Sequence, residues 1–233
     1  MKITAIYSTG RKTRSSTYNL AQVAIDKLKG DDEVYEFFLP KDMDHFCNGC
    51  FYCFEGHPEK CGGYEKVNLI REAMDKSELI IFTTPVYAYH APGQLKVLLD
   101  HFAYRWMVHQ PEGEMVKKQA IVISTAAGGG KKTAIKDIKD SLDFWGVGHV
   151  YKYKKSIWAA HWSEIEEKTQ NKMKKDILKI CDKIAKRGEN KKPRLKVKML
   201  FYGCRMMQMK IGLNPVDVKY WESKGWFGKA RPW

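Results

Sequence analysis

The chain has 233 residues, 44% of them apolar and 29% charged, with 41 lysines and arginines against 27 acidic residues and a net charge of +14. This composition supports a packed core and argues against bulk disorder, and no apolar run is long enough to span a bilayer, so no membrane role is expected. The six cysteines come without a signal-peptide pattern, which argues against a secreted disulfide scaffold and points to a cytoplasmic protein using cysteines for metal or redox chemistry.

In chain order, Lys2 to Ser8 reads as a short apolar strand. Ser16 to Lys29 has helical spacing at Leu20, Val23, Ala24 and Leu28, and Gly30 stops it. Glu33 to Leu39 reads as a second strand, followed by a cysteine-rich loop over residues 45–63 and a helix from Glu65 to Lys76. Leu79 to Thr83 is a buried third strand, and Pro92 suits the first turn of a helix reaching about Trp106. A fourth strand (Gln119 to Thr125), a helix (Lys131 to Phe144), a fifth strand (His149 to Ile157) and a long amphipathic helix (Glu164 to Arg187) complete the alternation. Lys191, Lys192 and Pro193 read as a linker into a Met- and aromatic-rich stretch that ends in Trp221, Trp226, Phe227 and Trp233. The expected organisation is one domain over residues 1–188 and an extension over 189–233 that packs on it or on a partner subunit.

Strands alternating with helices predict an α/β fold with a parallel sheet covered on both faces. Right-handed crossovers leave a doubly wound five-stranded sheet of order 2-1-3-4-5 as the simplest topology. Much of the positive charge lies between Lys168 and Lys198, on the solvated face of one helix and the segment after it. No helix-turn-helix, RNP-like or zinc-finger pattern accompanies it, so nucleic acid is not an expected partner; acidic partners or anionic substrates are.

Such a sheet binds ligands beyond the carboxyl ends of its strands, which directs attention to three loops. The first contains Ser8, Arg11, Lys12, Ser15, Ser16 and Thr17 and leads straight into a helix. Hydroxyls and helix-start amides make a phosphate cradle, and a single glycine fits neither the dinucleotide nor the P-loop pattern. A monophosphate, as in FMN, fits better; an ordinary capped helix start is the alternative. The second loop sets Thr84, Pro85, Val86, Tyr87 and Tyr89 among small residues, which suits the wall of a flat heteroaromatic ring or the plain packing of a strand end. The third, with Ser124, Thr125, Gly128 and Gly129, allows close backbone approach or is a flexible turn.

These segments carry a resemblance. The first loop resembles the phosphate loop of the NAD(P)H-dependent FMN reductases. Thr84-Pro85-Val86-Tyr87, followed by Pro92-Gly93-Gln94-Leu95-Lys96 and Leu99-Asp100, is similar to that family's second flavin loop and following helix. The resemblance spans roughly residues 1–150 and implies a flavodoxin-like fold that binds FMN. It would place the phosphate on Arg11, Lys12, Ser15, Ser16 and Thr17. Pro85, Val86, Tyr87 and Tyr89 would line the isoalloxazine, with Ser124, Thr125, Gly128 and Gly129 at its other edge. The first loop is longer than the family's usual form and lacks its proline.

Cys47, Cys50, Cys53 and Cys61 fall within fifteen residues. Three cysteines at intervals of three with a fourth further on can wrap one cubane cluster; structural zinc more often uses separated pairs, and free thiols are the third reading. The spacing looks like that of the iron–sulfur flavoproteins, a branch of the same family, which implies a [4Fe-4S] cluster. Gly62 and Gly63 stand where relatives commonly carry an acidic pair. Cys181 and Cys204 read as structural.

The leading functional expectation is an FMN-dependent oxidoreductase taking electrons from NAD(P)H or ferredoxin and passing them to a small acceptor such as a quinone, flavin or oxygen. No side chain need act as nucleophile, so no catalytic residue is assigned; His90 or Tyr89 could orient substrate, but each reads first as a packing or surface group. The alternative is a flavodoxin-like electron carrier without its own substrate. The resemblance implies a homodimer or homotetramer.

Overall fold

Five parallel strands form one sheet: β1 (Ile3–Tyr7), β2 (Val34–Phe38), β3 (Leu79–Pro85), β4 (Gln119–Ala126) and β5 (His149–Ser156), in the order β2-β1-β3-β4-β5. The computed structural model describes residues 1–188 and 192–233; the expected domain boundary at residue 189 and Lys191 of the expected linker lie outside the described residues. Ile3 of β1 registers with Val34 of β2 and Leu79 of β3, and Leu79 in turn with Gln119 of β4. This is the topology the alternation of elements predicts.

Helices cover both faces: α1 (Ser16–Leu28), α2 (Tyr64–Lys76), α3 (Gly93–His101), α4 (Lys131–Phe144) and α5 (Glu167–Arg187). Ile3, Ala5, Tyr7, Ile81 and Ile123 join Leu20 and Ala24 of α1 and Met173, Ile177 and Cys181 of α5 in one core. Ile6, Ile80, Phe82 and Val122 meet Ile70 of α2, Leu98 of α3 and Ile138 of α4 in the other. Residues of both parities are buried along β1 and β3, which is why their sequences read as continuous apolar runs rather than alternating ones.

Helix α3 ends earlier than its spacing predicts. After His101 the chain tightens into a 3-10 turn at Ala103–Arg105. Tertiary contacts take over there: buried Arg105 pairs with Asp75 at 2.7 Å, and Trp106 stacks on Phe144 with centroids 4.5 Å apart.

The extension, whose secondary structure the sequence reading leaves undefined, contains α6 (Leu195–Lys210) and α7 (Pro215–Ser223). It packs on its own chain. Val197, Phe201 and Cys204 of α6, Trp221 of α7, and Trp226 make a third core with Met107 and Val116. Phe201 and Trp221 stack with centroids 5.2 Å apart. Asp143 at the end of α4 is 1% exposed and holds the start of the extension through Arg194 at 2.7 Å and Lys196 at 2.5 Å, with Lys139 as a third partner. Among the described residues no helix is long and apolar enough to cross a membrane.

Candidate functional site

The loops after β1, β3 and β4 meet at the carboxyl edge of the sheet. Ser15 is the N-cap of α1: its Oγ accepts from the Tyr18 amide at 3.4 Å and lies 3.0 Å from Thr17 Oγ1. The amides of Ser16 and Thr17 stand ahead of the first bond of the helix, Asn19 N–H to Ser15 O, and so present the positive end of α1 to an anion. Ser8 is buried and donates to the Thr83 carbonyl, while Gln94 at the start of α3 donates to the Ser8 carbonyl at 2.8 Å. The first loop is thereby fixed by the strand and helix of the second.

The second loop turns sharply. Tyr87 and His90 exchange two backbone hydrogen bonds of 2.9 Å, and Ala88 and Tyr89 both take the left-handed conformation, with φ of 46° and 68°. Two residues with Cβ atoms are strained there by roughly 1–2 kcal/mol each, the kind of cost that collects at ligand clamps. Asp137 of α4 secures the turn, accepting from the Ala91 amide at 3.2 Å and sitting 3.3 Å from His90 Nδ1.

The third loop is glycine-rich because the second lies on it. A Cβ at Gly129 would come within 2.8 Å of the Tyr89 ring, and one at Gly130, which has φ of +80°, within 2.5 Å of Val86 Cγ1. In contrast, among the described residues no atom outside the neighbouring backbone lies within 4 Å of where a Cβ would stand at Gly10, Gly93 or Gly128, so the backbone at all three borders open space. Buried Ser124 Oγ has no hydrogen-bond partner among the described residues. Open backbone, helix-start amides and an unsatisfied hydroxyl at one sheet edge fit a phosphate-bearing planar ligand.

Of the residues the sequence singles out, Ser8, Ser15, Ser16, Thr17, Thr84, Pro85, Val86, Tyr87, Tyr89, Ser124, Thr125, Gly128 and Gly129 all lie on these three loops or the strand ends feeding them. Arg11 and Lys12 lie there too, but their side chains have other partners. Arg11 donates to the Ala160 carbonyl at 2.6 Å and lies 3.1 Å from His161, and Lys12 sits 5.0 Å from the Phe38 ring centroid. Gln94 and Asp137 gain positioning roles that no local pattern announces, because their partners are 86 and 46 residues away in sequence.

The four clustered cysteines line one cavity of ≈ 70 Å³ together with Phe54 and His101. Cys47 and Cys50 are exposed; Cys53 and Cys61 are partly buried. Burial pushes the Cys53 thiol up to about 11, and the neighbouring Cys47, Cys61 and Cys50 add to the rise. His101 Nε2 is 2.9 Å from the His45 carbonyl, which can only accept, so the proton is on Nε2 and Nδ1 faces Cys61 Sγ at 3.6 Å. Burial lowers the His101 imidazole from its ordinary range. A Cβ at Gly62 would come within 2.8 Å of the His45 ring, which gives Gly62 a packing reason. Among the described residues no three His, Cys, Asp or Glu side chains are arranged to hold a single metal ion.

Residues 1–160 match the family model described as NADPH-dependent FMN reductase. An iron–sulfur flavoprotein of Clostridioides difficile (strain 630) is 27% identical over 178 residues, covering 75% of this chain and 76% of that protein. An FMN-dependent NADH:quinone oxidoreductase of Pelagibacter ubique (strain HTCC1062) is 30% identical over 173 residues, covering 64% and 86%. Among solved structures, an FMN-dependent NADH-azoreductase from Bacillus anthracis in complex with FMN superposes with a TM-score of 0.60 at 12% identity, covering 79% of this chain and all of that one. An NAD(P)H:(acceptor) oxidoreductase flavoenzyme from Paracoccus denitrificans gives 0.52 at 21% identity, covering 80% and 98%. At these identities the two structures speak for the fold.

Proposed function

Because this chain belongs to the NADPH-dependent FMN reductase family, an FMN-dependent oxidoreductase family with a nicotinamide donor, we propose that it carries electrons from NAD(P)H to a quinone at the mouth formed by the loops after β1, β3 and β4. The observation that carries this reading is the convergence of those loops around open backbone at Gly10, Gly93 and Gly128. FMN, when bound, supplies the hydride and electron chemistry itself. The protein's part is to hold and orient. Ser15, Ser16 and Thr17 hold the phosphate through hydroxyls and helix-start amides. The Tyr87–His90 turn walls the ring and keeps water from it. Ser124 and the Gly128–Gly129 backbone meet its polar edge. Arg11 and Lys12 contribute charge to the phosphate side from their present partners. The Pelagibacter relative, named for quinone, supports that acceptor class.

The second cofactor in this reading is a [4Fe-4S] cluster on Cys47, Cys50, Cys53 and Cys61, in a homodimeric or homotetrameric cytoplasmic enzyme. In its support, the four thiols border one cavity, and the Clostridioides relative is named an iron–sulfur flavoprotein.

The test is anaerobic purification followed by a visible spectrum, iron and sulfide assays, and NADPH oxidation with and without a soluble quinone. Flavin bands and quinone-dependent turnover are expected, with iron and sulfide lost in Cys50→Ala. Flavin without turnover would favour an electron carrier instead. For that second reading, Lys132, Lys136, Lys139, Lys152 and Lys154 line one groove between α4 and β5, a surface suited to an acidic donor such as a ferredoxin. Reduction by ferredoxin that weakens steeply with salt, alongside slow reduction by NADPH, would select it.

A further inference from the structure

Helix α6 has two apolar faces. Val197, Phe201, Cys204 and Gln208, spaced 4, 3 and 4, are buried in the third core. On the opposite side Leu195, Met199, Tyr202, Met206 and Met209, spaced 4, 3, 4 and 3, are all exposed, and Leu213 just past the helix extends the series by four. Leu195 is 73% exposed, Met206 56% and Leu213 82%. This is the 3.5-residue repeat of a helix–helix seam, and among the described residues no helix lies on it; only Tyr202 at its edge meets the C-terminal segment, through Arg231 and Trp233.

We propose that this seam is where a second copy of the chain docks, the two α6 helices packing across a two-fold axis. The inference rests on the oligomeric part of the functional reading and is independent of the cluster. Three observations select a second copy over other occupants.

The first is the repeat. The occupant must present apolar side chains at matching spacing, and α6 itself does so, which is what a self-complementary two-fold contact requires. Methionines suit such a contact because their flexible side chains adapt to each other. The second is area. With Met207 and Ile211 beside the seam, eight large side chains at on the order of 100 Å² each approach the roughly 800 Å² per partner of a standard interface. That exceeds the patch of a few hundred Å² that a monomer ordinarily leaves bare.

The third is where the cations go. A helix lying on an anionic lipid surface directs its basic side chains outward beside the apolar face. Here Lys196 pairs with Asp143 at 2.5 Å, Lys198 sits 5.6 Å from the Trp233 ring centroid, and Arg205 donates to the Trp226 carbonyl at 2.7 Å. These three charges beside the seam are engaged with their own chain. The same surface continues to the cysteine-rich loop, where Phe51 and Tyr52 are exposed and Asn214 donates to the Phe54 carbonyl at 2.8 Å.

Light scattering on the size-separated, FMN-loaded full chain tests this at micromolar concentration. The wild type should have a mass that is an even multiple of 27.0 kDa. Met206→Glu should halve it while the flavin spectrum and far-ultraviolet circular dichroism stay unchanged, and Met199→Glu should do the same should the first variant fold poorly. A wild type at 27.0 kDa would overturn both this surface and the oligomeric reading. An assembled wild type whose mass neither variant changes would overturn the surface alone. Co-sedimentation of the wild type with phosphatidylserine vesicles, abolished by Met206→Glu, would assign the seam to lipid and overturn the proposal.

Discussion

Asn214 donates from Nδ2 to the Phe54 carbonyl at 2.8 Å across 160 residues of sequence, tying the start of α7 to the cysteine-rich loop. The same side chain caps α7 by accepting from the Val216 amide at 3.0 Å. The two roles separate by mutation. Asn214→Asp keeps the cap and loses the tether; Asn214→Ala loses both and should cost about 1–2 kcal/mol of stability. Both variants should speed amide hydrogen exchange over residues 50–57. Unchanged exchange there would show that the loop is held by other contacts.

Gly130 joins the loops after β3 and β4. In Gly130→Ala the new methyl would stand 2.5 Å from Val86 Cγ1 and 2.8 Å from the Tyr89 backbone, at a φ of +80°. The Tyr87–His90 turn must then move away from the mouth. FMN affinity should fall at least about tenfold, equivalent to roughly 1.4 kcal/mol, with secondary structure retained. Fluorescence titration with FMN reads this directly, and an unaltered dissociation constant would place the flavin away from this turn.

Asp143 is a buried carboxylate facing Lys139, Lys196 and Arg194. Burial alone would raise its pKa, but hydrogen bonds from Lys139, Lys196 and Arg194 outweigh that and hold it below the ordinary carboxylate value. Asp143→Asn leaves three cations without their counter-charge. Because Lys196 is half exposed, the loss should be on the order of 2–3 kcal/mol, under the value for a fully buried pair. Urea denaturation should show a lower midpoint at an unchanged slope. A midpoint equal to wild type would mean that the aromatic core alone holds the extension.

His149 gives the protein an acid-side weakness. Burial, and then the charges of Arg187 and Arg194, lower its imidazole to about 4. Its Nδ1 has no hydrogen-bond partner among the described residues. The unfolded chain takes up this proton near pH 6.5, whereas the folded protein resists it until about pH 4. His149 therefore costs no stability above pH 6.5, and stability falls as pH drops from about 6.5 to about 4. Thermal melts across that window should show a smaller decline in His149→Gln than in wild type; parallel declines would exclude His149 as the source.

The sheet and its covering helices were legible because β1, β3 and β4 are apolar on both faces and the helices carry their own periodicity, both of them local signals. The three site loops could be located for the same reason: topology places the ends of β1, β3 and β4 together. The direction of side chains within them could not be read. Arg11 turns to the Ala160 carbonyl because the β5–α5 connection passes beside it, a contact 149 residues distant. Gln94 and Asp137 were hidden likewise. The extension was the least legible part. In α6, Leu195 to Met209 and Val197 to Cys204 give apolar residues on opposite sides, so no single amphipathic stripe emerges, and only the packing of Phe201 on Trp221 reveals which side faces inward.

The most direct test of the site is a pair of titrations of flavin-free protein, one with FMN and one with riboflavin, in wild type and in Ser16→Glu. If the start of α1 holds the phosphate, FMN binds one per chain and at least about tenfold more tightly than riboflavin, a margin of roughly 1.4 kcal/mol. Ser16→Glu, which sets a carboxylate where the phosphate would sit, should erase that margin while leaving riboflavin affinity close to wild type. Equal affinity of the wild type for the two flavins, or no binding of either, would contradict the account.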